Sequence, residues 1–146
     1  RRWKAATDFN ALNKITGATN WQDLPGKDLK TLTKGLYSKV AGDLPNSDIP
    51  LLTDNKGQKF SLVQFEINIL QEGELGLKLA GVDQAKVWTG TKEMALSSGI
   101  GKLKVATGKQ WIYIAYSRNN PENDSLKVLV MDDLANSAQS QLIVGY

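Results

Sequence analysis

Trp111 and Tyr113 stand two residues apart in a run that reads as a strand, so both rings project from one face of it. An exposed, flat pair of this kind stacks on a sugar ring through CH–π contact. Trp88, just ahead of the Thr89-Gly90-Thr91 turn, and Tyr116 are the further aromatics a sugar site could use. The competing assignment is the core. Ile112, Ile114 and Tyr116 make the second face of the strand as apolar as the first, which is the pattern of a central strand covered on both sides. Burial is the favoured assignment for Trp111 and Tyr113. Trp88 is likewise expected to seal the end of a core, and Trp3 and Trp21 to pin an N-terminal arm.

Carboxylates are the next groups with chemistry to offer. Glu72 and Glu74 flank a glycine, and two carboxyl groups so close are conceivable as the acid–base pair of a glycosidase. In a turn they are more often simply solvated. Asp43 with Asp48, the loop Asn119–Asp124, and Asp132-Asp133 offer oxygens to Ca²⁺. None of the three follows an EF-hand or RTX spacing, and ordinary turn chemistry accounts for each. Gly99-Ile100-Gly101 runs into Lys102-Leu103-Lys104-Val105 and not into a helix N-terminus, so it is turn glycine and no phosphate cradle.

The chain contains no Cys and no His. That removes disulfides, thiolate nucleophiles, thiolate zinc sites, the commonest general base and every Ser-His-Asp or Cys-His triad. The expectation is a domain with no catalytic centre, no cofactor and no metal. A carboxylate enzyme is a distant third reading.

The net charge is +3 and unevenly placed: residues 1–36 carry seven Lys/Arg against three Asp, residues 37–146 eleven against twelve acids. The cations are scattered through turns, without the interleaved aromatics or known motif of a nucleic-acid face, so no nucleic-acid partner is expected. No apolar run approaches the length that spans a bilayer, and no membrane partner is expected. Charged residues open the chain with no apolar h-region after them, and the start at Arg1 reads as a piece cut from something longer.

The elements that must position these residues are strands. Residues 1–36 show no clear period; they read as an arm of short strands and turns, with Asp8 capping a helical turn through Asn10–Lys14 and a short helix at Asp28–Thr33. From Tyr37 the text changes. Tyr37–Ala41 alternates, Gly42–Pro50 is rich in turn residues, and Phe60–Leu70 sets Val63, Phe65, Ile67 and Ile69 against Leu62, Gln64, Glu66 and Asn68, a half-buried antiparallel strand. Leu75, Leu77 and Leu79 continue after the turn at Glu72-Gly73-Glu74. Strands around Val87, Gly101–Ala106, Trp111–Ser117, Ser125–Met131 and Gln141–Tyr146 follow at intervals of 8–14 residues. With 146 residues and no linker or repeat, the expected architecture is one domain, 1–146. It is an all-β antiparallel sandwich of about eight strands, jelly-roll-like, formed by 37–146 with the arm 1–36 packed on it.

One stretch is familiar. Gly76-Leu77-Lys78-Leu79 through Val87-Trp88-Thr89-Gly90-Thr91-Lys92 resembles a "Gly-Leu-x-Leu-Trp-Val-Asp-Gly-Lys" hairpin in large secreted proteins of planctomycetes and their relatives. The lines Leu103–Lys109, Trp111–Arg118, Ser125–Met131 and Ala138–Gly145 have counterparts there, and Val40–Pro50 is similar to a "Val-Asn-Gly-x-Leu-Pro-Leu-x-x-Leu-Pro" stretch. Where that hairpin reads "Trp-Val-Asp-Gly-Lys", this chain has Trp88-Thr89-Gly90-Thr91-Lys92. The resemblance implies a β-sandwich region, distantly like PA14 and carbohydrate-binding jelly rolls, accompanying c-type haem or dehydrogenase domains in exported chains. It carries over no catalytic residue. What it implies is a non-catalytic accessory domain of a larger exported bacterial protein, extracytoplasmic, associating with other domains of its parent or with a protein partner. A carbohydrate-binding module using Trp88, Trp111, Tyr113 and Tyr116 is the alternative.

Overall fold

The computed structural model describes residues 3–27, 29, 43–45, 49–82, 84–118, 125–131 and 139–142, with backbone alone at 43–45, 125 and 139–142. The chain opens with β1 (Trp3–Ala5), α1 (Phe9–Thr16) and a 3₁₀ turn (Trp21–Asp23). Then come β2 (Asp43–Pro45), β3 (Leu52–Thr53), β4 (Lys59–Gln71), β5 (Gly73–Ala80), β6 (Ala85–Thr89) and β7 (Lys92–Met94). The last are β8 (Leu96–Ser97), β9 (Ile100–Val105), β10 (Gly108–Ser117), β11 (Ser125–Met131) and β12 (Gln139–Leu142).

These strands build two antiparallel sheets stacked as a sandwich. The first runs β1-β4-β10-β6-β7, with β3 and β12 also paired to β4; the second runs β2-β11-β5-β9-β8. The all-β sandwich expected from the sequence is the fold. Its strand count is twelve among the described residues rather than about eight. The extra strands are edge pieces of two to four residues, too short to show an alternation.

The thirteen residues of β4 organise the first sheet. One edge pairs with β10 from Gly108↔Ile69 to Ser117↔Phe60. The other edge is completed end to end by three short strands from distant parts of the chain: β3 at Lys59 and Phe60, β1 at Val63–Phe65, and β12 from Ile67 to Gln71. Gathering these pieces onto one edge leaves that stretch of backbone little unpaired N–H or C=O.

Two of the long strands pass from sheet to sheet together. β4 becomes β5 through Glu72, and β9 becomes β10 through Ala106 and Thr107, while Gly73↔Val105 and Gly108↔Ile69 are paired on either side of the corner. A two-stranded ribbon therefore folds over the end of the sandwich. At the far end Ser98 and Gly99, both with positive φ (53° and 78°), make the two-residue turn between β8 and β9. The turn is pressed against the second sheet, since Leu79 N–H donates to the Gly99 carbonyl at 2.7 Å and a Cβ on residue 99 would lie 2.6 Å from the Leu79 oxygen. Only glycine fits there.

Between the sheets lies a core of Val63, Phe65, Ile67, Leu75, Leu77, Ile112, Ile114, Leu126 and their neighbours. A second core lies on the outward side of the first sheet, where Phe60, Leu62, Trp88, Tyr113 and Ala115 meet Ala6, Phe9, Leu12, Trp21, Leu24 and Leu29 of the arm. The expectation of a half-buried strand at 60–70 is therefore corrected for its first half and kept for its second, where Glu66 and Asn68 are partly exposed and Leu70 is exposed. Leu62 and Gln64 are as fully buried as Val63 and Phe65, because the arm covers the face that the alternation assigned to solvent.

The arm's helix follows its capping chemistry. The Asp8 carboxylate accepts from Asn10 N–H at 2.8 Å, Phe9 and Leu12 turn inward, and Gly17 (φ 71°) closes the end by donating to the Asn13 carbonyl at 2.8 Å. Apart from Leu29, the helix expected at Asp28–Thr33 lies outside the described residues, as does the alternation at Tyr37–Ala41.

Candidate functional site

The four aromatics proposed as a platform separate onto two faces of the first sheet. Trp111 and Tyr113 share the outward face, as their spacing requires, and Trp88 joins them because it is Tyr113's register partner on β6. Their neighbour Tyr116 points the other way, into the core between the sheets. Trp88, Tyr113 and Tyr116 are fully buried. Trp111 alone is partly exposed, and the Lys4 ammonium sits 5.1 Å from its ring centroid, a cation–π contact that occupies that face. No exposed ring platform results from these four residues.

What Trp88 and Tyr113 do instead is hold the arm. Their rings stack with centroids 5.5 Å apart and planes 29° apart. Each then spends its polar tip on arm backbone: Trp88 Nε1–H donates to the Lys27 carbonyl at 2.7 Å, and the Tyr113 hydroxyl accepts from Leu29 N–H at 3.1 Å. A buried Trp or Tyr requires a partner for its polar atom, and here the partner is main chain of the arm. Farther along the same face Trp21 lies nearly parallel to Phe60 (centroids 6.3 Å, planes 12°), with Phe9 edge-on to that ring.

The buried carboxylate of Asp54 makes a second attachment. Its Oδ2 accepts from Trp21 N–H at 3.0 Å, and its Oδ1 from Lys56 and Gln58 N–H at 2.9 Å each. Asp54 thus caps the β3–β4 turn and ties the arm to it, with Asn55 N–H donating to the Thr19 carbonyl at 3.0 Å. The signal was present in the sequence as Asp54-Asn55-Lys56-Gly57, a turn composition whose first aspartate folds back on the following N–H groups.

Tyr116 belongs to a polar cluster at one end of the inner core. Burial pushes its hydroxyl up to about 12, against the lowering pull of the Arg118 guanidinium and a hydrogen bond with Ser61. The Ser61 hydroxyl donates to the Pro50 carbonyl at 2.9 Å and accepts from Arg118 Nη1 at 2.7 Å; Nη1 also reaches the Ile49 carbonyl at 3.3 Å. The cluster fastens the 49–50 segment to β4 and β10.

Glu72 and Glu74 line a shallow cleft of about 310 Å³ at the ribbon corner, together with Gly73, Lys104 and Val105. Glu72 is exposed, and Glu74 faces Lys104 in register across β5 and β9. A larger cleft of about 520 Å³ opens where Ala85 and Lys86 of β6 extend beyond the pairing with β7; Trp21, Gln22, Gln84 and Ser98 are among its lining. Of the calcium candidates, Asp48, Asn119–Asp124 and Asp132-Asp133 lie outside the described residues, as does the side chain of Asp43. Among the described residues no three acidic side chains converge, and no helix is long and apolar enough to cross a membrane. No protein-family model matches the chain, and a search of curated proteins finds no match to it.

Proposed function

We propose that this chain is a non-catalytic accessory domain of a larger exported bacterial protein, one that associates with a neighbouring domain or a protein partner. The observation that carries the reading is the use made of the aromatics. Trp88, Tyr113 and Tyr116 are spent on the interior, with the first two hydrogen-bonded to the arm, and the partly exposed Trp111 already lies beneath Lys4. The exported setting and the larger parent rest on the resemblance of Gly76–Lys92 and the lines after it to secreted planctomycete-type chains. A sandwich suits this role, because the outward face of its second sheet is a broad surface that needs no internal motion to be recognised.

The alternative is a carbohydrate-binding module, and one feature favours it: the cleft beside Ala85 and Lys86. Its Gln22, Gln84 and Ser98 supply amides and a hydroxyl of the kind that hydrogen-bond sugar hydroxyls. Tryptophan fluorescence, titrated with a panel of soluble neutral and acidic polysaccharides, separates the readings because Trp21 lines that cleft and Trp111 is partly exposed. The accessory-domain reading predicts a flat response across the panel. A saturable shift, abolished by Gln84→Ala or Trp111→Ala in a protein that still folds, would replace it with the sugar-binding reading.

A further inference from the structure

The outward face of the second sheet carries exposed lysine on three adjacent strands: Lys78 on β5, Lys102 and Lys104 on β9, and Lys127 on β11. The register sets their positions. Leu129, Lys78 and Ile100 form one row across β11, β5 and β9; Met131, Gly76 and Lys102 form the next. Lys127 stands beside Ala80 on one side of these rows, and Lys104 beside Glu74 on the other. Lys127, Lys78 and Lys102 therefore fall on a single diagonal, with steps of about 7–8 Å. Lys104 extends it by roughly 7 Å along β9.

The ends of that line have acidic register partners, Glu74 for Lys104 and Asp43 of β2 for Lys127. Its middle has none: Lys78 lies between two apolar side chains, and Lys102 lies next to Gly76. None of the four forms an ion pair among the described residues. The apolar neighbours are themselves exposed, Leu129 at 61% and Ile100 at 39%. Beneath this face the side chains of β5 turn inward to the core, so it is firmly backed.

We propose that this face docks an acidic polypeptide surface in which carboxylates alternate with apolar side chains. The proposal rests on the accessory-domain reading and names the chemistry of its partner. Charge complementarity argues for the anion: a row of cations, two of them without an acidic neighbour, raises the local potential and steers an opposite charge toward it. The interspersed Leu129, Ile100 and Met131 argue for a polypeptide over an acidic glycan, because they gain only from covering apolar surface. An acidic glycan would pair with the lysines but gain little from the apolar side chains between them, and the rows of this face contain no aromatic ring for a sugar to stack on.

Titration against three probes tests the proposal: a random glutamate–tyrosine copolymer, poly-L-glutamate and polygalacturonate. The copolymer should bind saturably and more tightly than poly-L-glutamate at equal charge, with polygalacturonate weakest. Binding should weaken as salt is raised from about 50 to about 200 mM. The double variant Lys78→Glu/Lys102→Glu should lose about tenfold or more, and Lys78→Gln/Lys102→Gln a smaller part. Lys14→Glu, on the exposed side of α1, should bind as wild type does. Exposed substitutions of this kind leave the core untouched, so a thermal melt should confirm that the variants fold as wild type does. Three results would overturn the proposal: no saturable binding of the copolymer, equal losses in the Lys14 variant, or polygalacturonate binding at least as tightly. The last would also count against the accessory-domain reading; the first two, with a flat polysaccharide panel, would leave it standing.

Discussion

On the outward side of the first sheet, Phe60, Leu62, Trp88 and Tyr113 are sealed beneath residues 6–29, and only the Trp111 end reaches solvent. On the outward side of the second sheet, Lys78, Ile100, Lys102 and Leu129 stand in water. The strands of both faces obey the same period of two, and the difference lies in what occupies the alternate positions. Large rings demand cover, and their N–H and O–H groups choose which backbone supplies it. Lysines with short or aliphatic neighbours tolerate water and leave a face open for another molecule. The arm is thus an integral layer on one side of the sandwich, and the other side is where an external partner has room to dock.

Removing the ring that anchors the arm gives the largest expected effect. Trp88→Ala opens a cavity beside Tyr113 and strips the Lys27 carbonyl of its donor; it should cost about 3–5 kcal/mol in urea unfolding. A loss below roughly 1 kcal/mol would mean that the arm contributes little and that the two faces are more alike than described.

Asp54→Ala leaves three N–H groups, those of Trp21, Lys56 and Gln58, without their acceptor. It should cost on the order of 3 kcal/mol by the same measurement, since hydrogen bonds to a charged acceptor are the stronger kind.

Tyr116 predicts an alkaline limb. Its hydroxyl titrates at about 12 in the folded chain against 10.0 ordinarily, so the unfolded chain loses that proton first. The contribution is fully present below pH 10 and is lost between pH 10 and about 12. The slope is about 1.4 kcal/mol per pH unit and the total on the order of 2–3 kcal/mol. Tyr116→Phe should be less steep than wild type over that window; identical slopes would remove Tyr116 as the cause.

The smallest effect carries the opposite sign. Gln64 is fully buried in the row between Lys4 and Tyr113, and among the described residues both polar atoms of its amide are without a hydrogen-bond partner. Gln64→Met keeps the shape and removes an unpaired amide, so it should be neutral or stabilising by up to about 1–2 kcal/mol in thermal unfolding. A clear loss of stability would show that the amide has a role in holding the outward face.

Much of this was legible from the residue order. Two apolar faces on Trp111–Ser117 required a central strand, and β10 is paired on both edges and covered on both sides. Asp8 announced the start of α1, which runs to Thr16, two residues beyond the Lys14 expected. The sequence did not reveal which face of β4 the arm would cover. Gln64, Glu66 and Asn68 alternate with Val63, Phe65 and Ile67 as solvent-facing residues do, and Gln64 is buried in a row whose flanking residues, Lys4 and Tyr113, come from distant parts of the chain. The aromatics showed the same limit. Spacing placed Trp111 and Tyr113 on one face, but only the register of β6 against β10 brings Trp88 onto that face beside Tyr113. The lysine diagonal was equally hidden, because its members come from three strands and become neighbours only through pairing.

Hydrogen exchange at the Leu29 amide tests most directly whether the outward aromatics serve to clamp the arm. Leu29 N–H donates to the Tyr113 hydroxyl, a side chain 84 residues away, and Tyr113→Phe removes that acceptor while keeping the ring. The account predicts slow exchange at Leu29 in the wild type and a marked acceleration in Tyr113→Phe, with a stability loss of about 1–3 kcal/mol. Rapid exchange at Leu29 in the wild type would contradict it, for the arm would then be free of the sheet and the aromatic face open to a ligand.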